Sequence, residues 1–169
     1  MKKGFTLIEI VVIVGVLSLI MISLTSILSG VFNSQSKNKS NDNINQQGNW
    51  VIEEIKKNLL NSSGVGFTCP IGIGQSISFQ NVKDGKRTVL GCLKSGGNYS
   101  IASSSANSAN LFTNNGSLQL TNCDEFISCE TLPSLEVSGV TVKFNLNTGD
   151  ALSPTYVTKD FELKVTLRN

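Results

Sequence analysis

Apolar residues crowd the start of the chain and thin out after it. Residues 10–36 contain no charged side chain, and from 10 to 24 only Gly15, Ser18 and Ser23 interrupt the apolar run. A helix over residues 5–28 rises about 36 Å, enough to cross a hydrocarbon core of roughly 30 Å. Residues 33–49 are then rich in Asn, Ser and Gln and polar on nearly every face, so their helicity is expected to depend on neighbouring structure. From Ile44 the helical period returns: Ile44, Gly48, Val51, Ile52, Ile55 and Leu59 fall in one sector of about 100°, which predicts a packing face. Trp50 points about 150° from the centre of that stripe on an ideal wheel, and a covering loop is expected there, with a neighbouring subunit as the other candidate.

Beyond residue 61 the period changes to two. Strands are expected at 76–82, 87–94, 98–102, 117–121, 135–146 and 156–167, all rich in Val, Ile, Phe, Tyr and Thr. Lys83-Asp84-Gly85-Lys86 reads as the hairpin turn joining the first two. In the last two, Val140, Val142, Phe144 and Leu146 share one face, as do Phe161, Leu163, Val165 and Leu167, so the pair is expected to run antiparallel. The Ser-, Asn-, Ala- and Gly-rich segment 95–117 reads as a surface loop open to O-glycosylation, and Gly72-Ile73-Gly74 as a turn rather than a phosphate cradle.

Composition narrows the chemistry. The 169 residues suit one small domain plus an anchoring segment. Of 14 basic and 12 acidic residues, Lys2 and Lys3 belong to the extreme N-terminus, leaving 12 of each in the body. A neutral body argues against nucleic acid as a partner. Histidine is absent, which removes Ser-His-Asp and Cys-His catalysis, and no other catalytic constellation is legible, so an enzyme is not expected. Ser (22) and Asn (18) supply almost a quarter of the chain, a profile suited to an extracytoplasmic surface.

Lys2 and Lys3 ahead of the span place the N-terminus in the cytoplasm, although Lys37 and Lys39 beyond it weaken the count. No small-residue cleavage site follows the apolar run, which favours a retained span over a removed signal peptide. Cys69, Cys92, Cys123 and Cys129 all lie on the outer side, as a disulfide framework requires. Their gaps of 22, 30 and 5 residues contain no C-x-x-C knuckle, so zinc is not expected. Three connectivities are open, and the shorter loops favour Cys69 with Cys92 and Cys123 with Cys129. Asp124, Glu125 and Glu130, and Asp150 with Asp160, read as exposed loop carboxylates rather than calcium ligands. Lys83, Lys86, Arg87 and Lys94 read as a solvated face, without the aromatic residues that stack nucleic-acid bases. No cofactor is expected.

Glu9 breaks the apolar pattern, and a carboxylate at membrane depth costs at least a few kcal/mol unless it is paired or reaches the interface. Around it, Lys2-Lys3-Gly4-Phe5-Thr6-Leu7-Ile8-Glu9 resembles the processing site of type IV prepilins and of the pseudopilins of type II secretion. The resemblance covers residues 2–32 and implies cleavage between Gly4 and Phe5 by prepilin peptidase, with N-methylation of Phe5. It makes Glu9 the assembly glutamate, facing the cationic N-terminus of an adjacent subunit. The helix-breaking proline that many major pilins carry near the end of the span has no counterpart, since the first proline is Pro70, so a kink would fall at Gly15 or Gly30. The final Val165-Thr166-Leu167-Arg168-Asn169 resembles chain ends of minor members.

The expected organisation is a leader at 1–4, a transmembrane and assembly helix at 5–32, its polar then amphipathic continuation at 33–61, and an extracytoplasmic β-rich domain at 62–169. The fold class implied is α+β and pilin-like, a long N-terminal helix packed on an antiparallel sheet. The function implied is that of a minor pilin or pseudopilin, held in the inner membrane and then inserted into a filament for secretion, adhesion, motility or DNA uptake. Its partners would be the peptidase, other pilin-type subunits and an inner-membrane assembly platform. A major pilin and a non-assembling membrane-anchored binding module are the alternatives.

Overall fold

The computed structural model of the chain describes residues 6–62, 67–69, 73–82, 85–95, 98–105, 108–111, 118–121, 123–131, 137–148, 152–153 and 155–167. One helix, α1 (Leu7–Leu60), precedes nine strands: β1 (Ile73–Gly74), β2 (Ser76–Gln80), β3 (Arg87–Ser95), β4 (Asn98–Ser105), β5 (Ser108–Leu111), β6 (Leu118–Leu120), β7 (Ile127–Thr131), β8 (Val137–Thr148) and β9 (Val157–Thr166). The architecture is the expected α+β arrangement of a long apolar N-terminal helix and an antiparallel sheet.

The helix runs unbroken for 54 residues, through Gly15 and Gly30 and through the polar segment. Asn and Ser are mediocre helix formers, but a helix already formed on both sides gains a hydrogen bond for each further residue fixed, without a new nucleation cost. Its outer half buries the predicted stripe: Ile44, Gly48, Val51, Ile55 and Leu59 are buried, with Ile52 packed partly against the same core.

All strand pairings are antiparallel, in the order β1-β7-β8-β6-β4-β3-β2, with β5 on β4 and β9 on β8. The 12-residue β8 is the spine. β9 pairs with it over residues 139–148, so β7, at 137–142, and β6, at 146–148, share its other edge end to end. Val140, Val142, Phe144 and Leu146 of β8 face the core with Phe161 and Val165 of β9, as the alternation predicts. The hairpin between β2 and β3 also forms: Gln80 pairs with Arg87, and Gly85 takes φ 64°, a left-handed conformation that favours glycine, while Lys83 and Asp84 lie outside the described residues.

Two ties fix the helix on the sheet. Lys159 Nζ donates to Asn45 Oδ1 at the β9 edge, and Val82 N–H donates to Asn61 C=O (2.9 Å) just beyond β2. Sixteen residues of helix separate them, about 24 Å, and five strand spacings from β9 to β2 also span about 24 Å, so the helix crosses the strands rather than running along them.

The cysteine pairing differs from expectation. The disulfides are Cys69–Cys129 and Cys92–Cys123, with Cα–Cα separations of 6.3 and 5.6 Å. Strand register overrides loop length. Thr68 bridges Ser78 while Ile73 pairs with Ser128, so the segment after the helix delivers Cys69 to β7. β4 lies between β3 and β6, through Cys92↔Ile101 and Tyr99↔Leu120, and Cys123 follows β6 closely enough to reach Cys92.

Three other expectations change. Ile73 and Gly74 form a short strand instead of completing a turn, residues 127–131 form β7, and the supposed surface loop contributes the end of β4 and all of β5. Trp50 is 48% exposed, so no loop among the described residues covers it fully.

Candidate functional site

The inner half of α1 starts at Thr6, whose C=O accepts from the N–H groups of Glu9 (3.1 Å) and Ile10 (3.3 Å). Glu9 sits in the first helical turn, where a negative charge suits the helix dipole, and its side chain is exposed. Gly4 and Phe5 lie outside the described residues.

From Leu7 to Phe32 eighteen large apolar side chains are exposed, each by at least 45%. Burying such a side chain is worth about 1.5–3 kcal/mol, so this surface forgoes on the order of 30 kcal/mol in water, more than a domain's typical net stability of about 5–15 kcal/mol. A surface of this size requires lipid or other helices around it. It is long and apolar enough to cross a membrane once. Four of its hydroxyls are internally satisfied: Ser18, Ser23, Thr25 and Ser29 donate to the carbonyls of Val14 (2.7 Å), Leu19 (3.0 Å), Met21 (2.9 Å) and Thr25 (3.0 Å). Each of these four hydroxyls can therefore enter an apolar surrounding without an open donor. Glu9 is the single charged residue between Leu7 and Ser36.

The other carboxylate and basic candidates form no metal centre or basic patch among the described residues. Asp124 and Glu125 are exposed on the turn before β7, Glu130 is paired with Lys164, and Asp150 lies outside the described residues. Among the described residues no group of three or more potential metal ligands comes together. The basic residues are dispersed: Arg87 donates to Ser78 Oγ (2.7 Å), Lys94 lies 5.4 Å from the Tyr99 ring centroid, and Lys83 is outside the described residues.

Sequence reading missed a polar network on the outer face of β8 and β9. Asn145 Oδ1 accepts from Thr121 Oγ1 (2.7 Å) and Thr158 Oγ1 (3.0 Å), while its amide donates to Asp160 Oδ1. The alternation of β8 and β9 already turns Asn145 and Asp160 outward, but only the register that brings Thr121 alongside completes the set.

Comparison with known proteins finds no match among protein-family models, curated proteins or solved structures.

Proposed function

We propose that the protein is a structural filament subunit of the type IV pilin and pseudopilin class, a minor rather than a major member. In this reading prepilin peptidase cuts between Gly4 and Phe5, Phe5 is methylated, and the chain waits in the inner membrane with its sheet domain outside. An assembly platform then inserts it into a helical filament with other subunits, serving secretion, adhesion, motility or DNA uptake. Such head-to-tail contacts do not close into a ring. The reading involves no catalysis by this chain.

One observation carries it: a single unbroken helix presents eighteen exposed apolar side chains with Glu9 as their lone charge, and then joins the sheet domain without a hinge. A lipid anchor has no need of a carboxylate inside its first turn. A bundle of identical helices does, because a charge there sets the axial register: a slipped subunit would leave both the carboxylate and its partner amine unpaired. The leader motif supplies that amine on Phe5.

Intact-mass measurement of protein from its native membrane tests the reading. The expected mass is that of a chain beginning at methylated Phe5. A mature chain that retains residues 1–4, or has lost the whole apolar segment, overturns it.

A further inference from the structure

The outer face of the sheet holds a groove of about 550 Å³ where β8 and β9 meet Thr121, just after β6, and Tyr156, just before β9, within the size range of small-ligand sites. Thr121, Asn145, Thr158 and Asp160 line it and are bound to one another through the Asn145 amide. Side chains on an exposed sheet face are ordinarily satisfied by water and keep their rotamer freedom. These four are held in place, which lowers the ordering cost of receiving a ligand.

The network also determines what remains available. The Asn145 oxygen is filled by two hydroxyls, leaving one amide N–H. Asp160 keeps its second carboxylate oxygen, and Tyr156 keeps its hydroxyl and ring, with no partner for either among the described residues. A planar amide donor beside a planar carboxylate acceptor matches vicinal hydroxyls, which donate and accept at adjacent positions, and the aromatic ring offers an apolar surface to C–H groups. Charge narrows the class further. Lys143 is matched by Glu162 at 3.4 Å, so Glu125 and Asp160 are the charges left facing the groove. Two uncompensated carboxylates repel phosphates and acidic sugars. Three-ligand metal groups are lacking among the described residues.

We propose that this groove is a saccharide-binding site for a neutral or amino sugar, oriented by Asn145 and Asp160 against Tyr156. The site is complete within one chain and does not depend on filament assembly.

The test is saturation-transfer NMR and titration on the full-length chain in phosphocholine micelles, which carry no sugar headgroups. The probes are lactose, cellobiose, N,N′-diacetylchitobiose, chitobiose and digalacturonate. At least one neutral or amino disaccharide should bind with Kd below about 10 mM, a neutral sugar independently of salt and protonated chitobiose more weakly as salt rises, and digalacturonate should not bind. Asp160→Ala and Tyr156→Ala should each weaken binding about tenfold or more, while Ser138→Ala leaves it unchanged. Tyr156→Phe, which removes only a hydroxyl, should give a smaller loss and keeps the test decisive if Asp160→Ala misfolds. Absence of transfer from every sugar, transfer that survives both alanine variants, or a groove that binds a tetralysine peptide in their place would overturn the proposal.

Discussion

Gly48 of the helix lies directly against the ring of Phe161 in β9, so close that a Cβ built on Gly48 would overlap three of the ring carbons. The ring cannot withdraw freely, because its other side stacks on Phe144 with centroids 5.2 Å apart and planes 14° from parallel. This contact sets how closely the helix sits on the sheet, and the neighbouring Asn45–Lys159 hydrogen bond fixes its position along β9.

Gly48→Ala should therefore destabilise the domain by about 1–3 kcal/mol, although alanine gains about 1 kcal/mol over glycine in a helix interior. Gly30→Ala makes the same change in propensity with nothing within 4 Å of the new carbon, and should leave the domain at least as stable as wild type. Denaturation midpoints of the full-length chains in micelles distinguish the two. Equal midpoints for both variants would mean that the helix does not sit on Phe161 this closely.

Peptide mapping under non-reducing conditions should recover Cys69 linked to Cys129 and Cys92 linked to Cys123. Replacing either pair by alanine should cost roughly 3–4 kcal/mol, because each closes a loop of 31 or 60 residues of sequence separation. Recovery of a Cys123–Cys129 peptide would contradict the register of β7.

Trp50 is the sole tryptophan and is 48% exposed. Acrylamide should quench its fluorescence efficiently in the dispersed chain. In sheared filaments quenching should fall as a neighbouring subunit covers the indole. Weak quenching in the dispersed chain would indicate a loop folded over it.

The regular parts of this fold are legible because one physical period governs each. The stripe from Ile44 to Leu59 follows the helical period, and the faces of β8 and β9 follow a period of two, so burial of Val51 or Phe144 needs only local sequence. The missed elements have no such local signal. β5 is Ser-Ala-Asn-Leu, residues of weak strand preference, and becomes a strand because β4 offers it an edge. β7 contains Cys129 and begins four residues after Cys123, so it reads as part of a disulfide loop until β8 pairs with it. The disulfides themselves follow from which strands become neighbours, a long-range property that loop length does not encode. The same holds for the Asn145 network, whose members are brought together from β8, β9 and the residue after β6. Glu9 is the opposite case, conspicuous in sequence because it is a charge where none is expected.

The central claim, that this chain assembles through its inner helix half, turns on Glu9. In an isolated span the carboxylate lies near the cytoplasmic edge and can reach water, so losing it should cost little. In a bundle of helices it must meet the amine of a neighbour. Immunoblotting of sheared filaments against the membrane fraction, for wild type, Glu9→Ala and Glu9→Gln, measures this directly. The expected result is normal processing and membrane retention for all three, with incorporation reduced in both variants, since glutamine keeps the shape and loses the charge. Incorporation of both variants at the wild-type level, or absence of the wild-type chain from every filament preparation, would contradict the account.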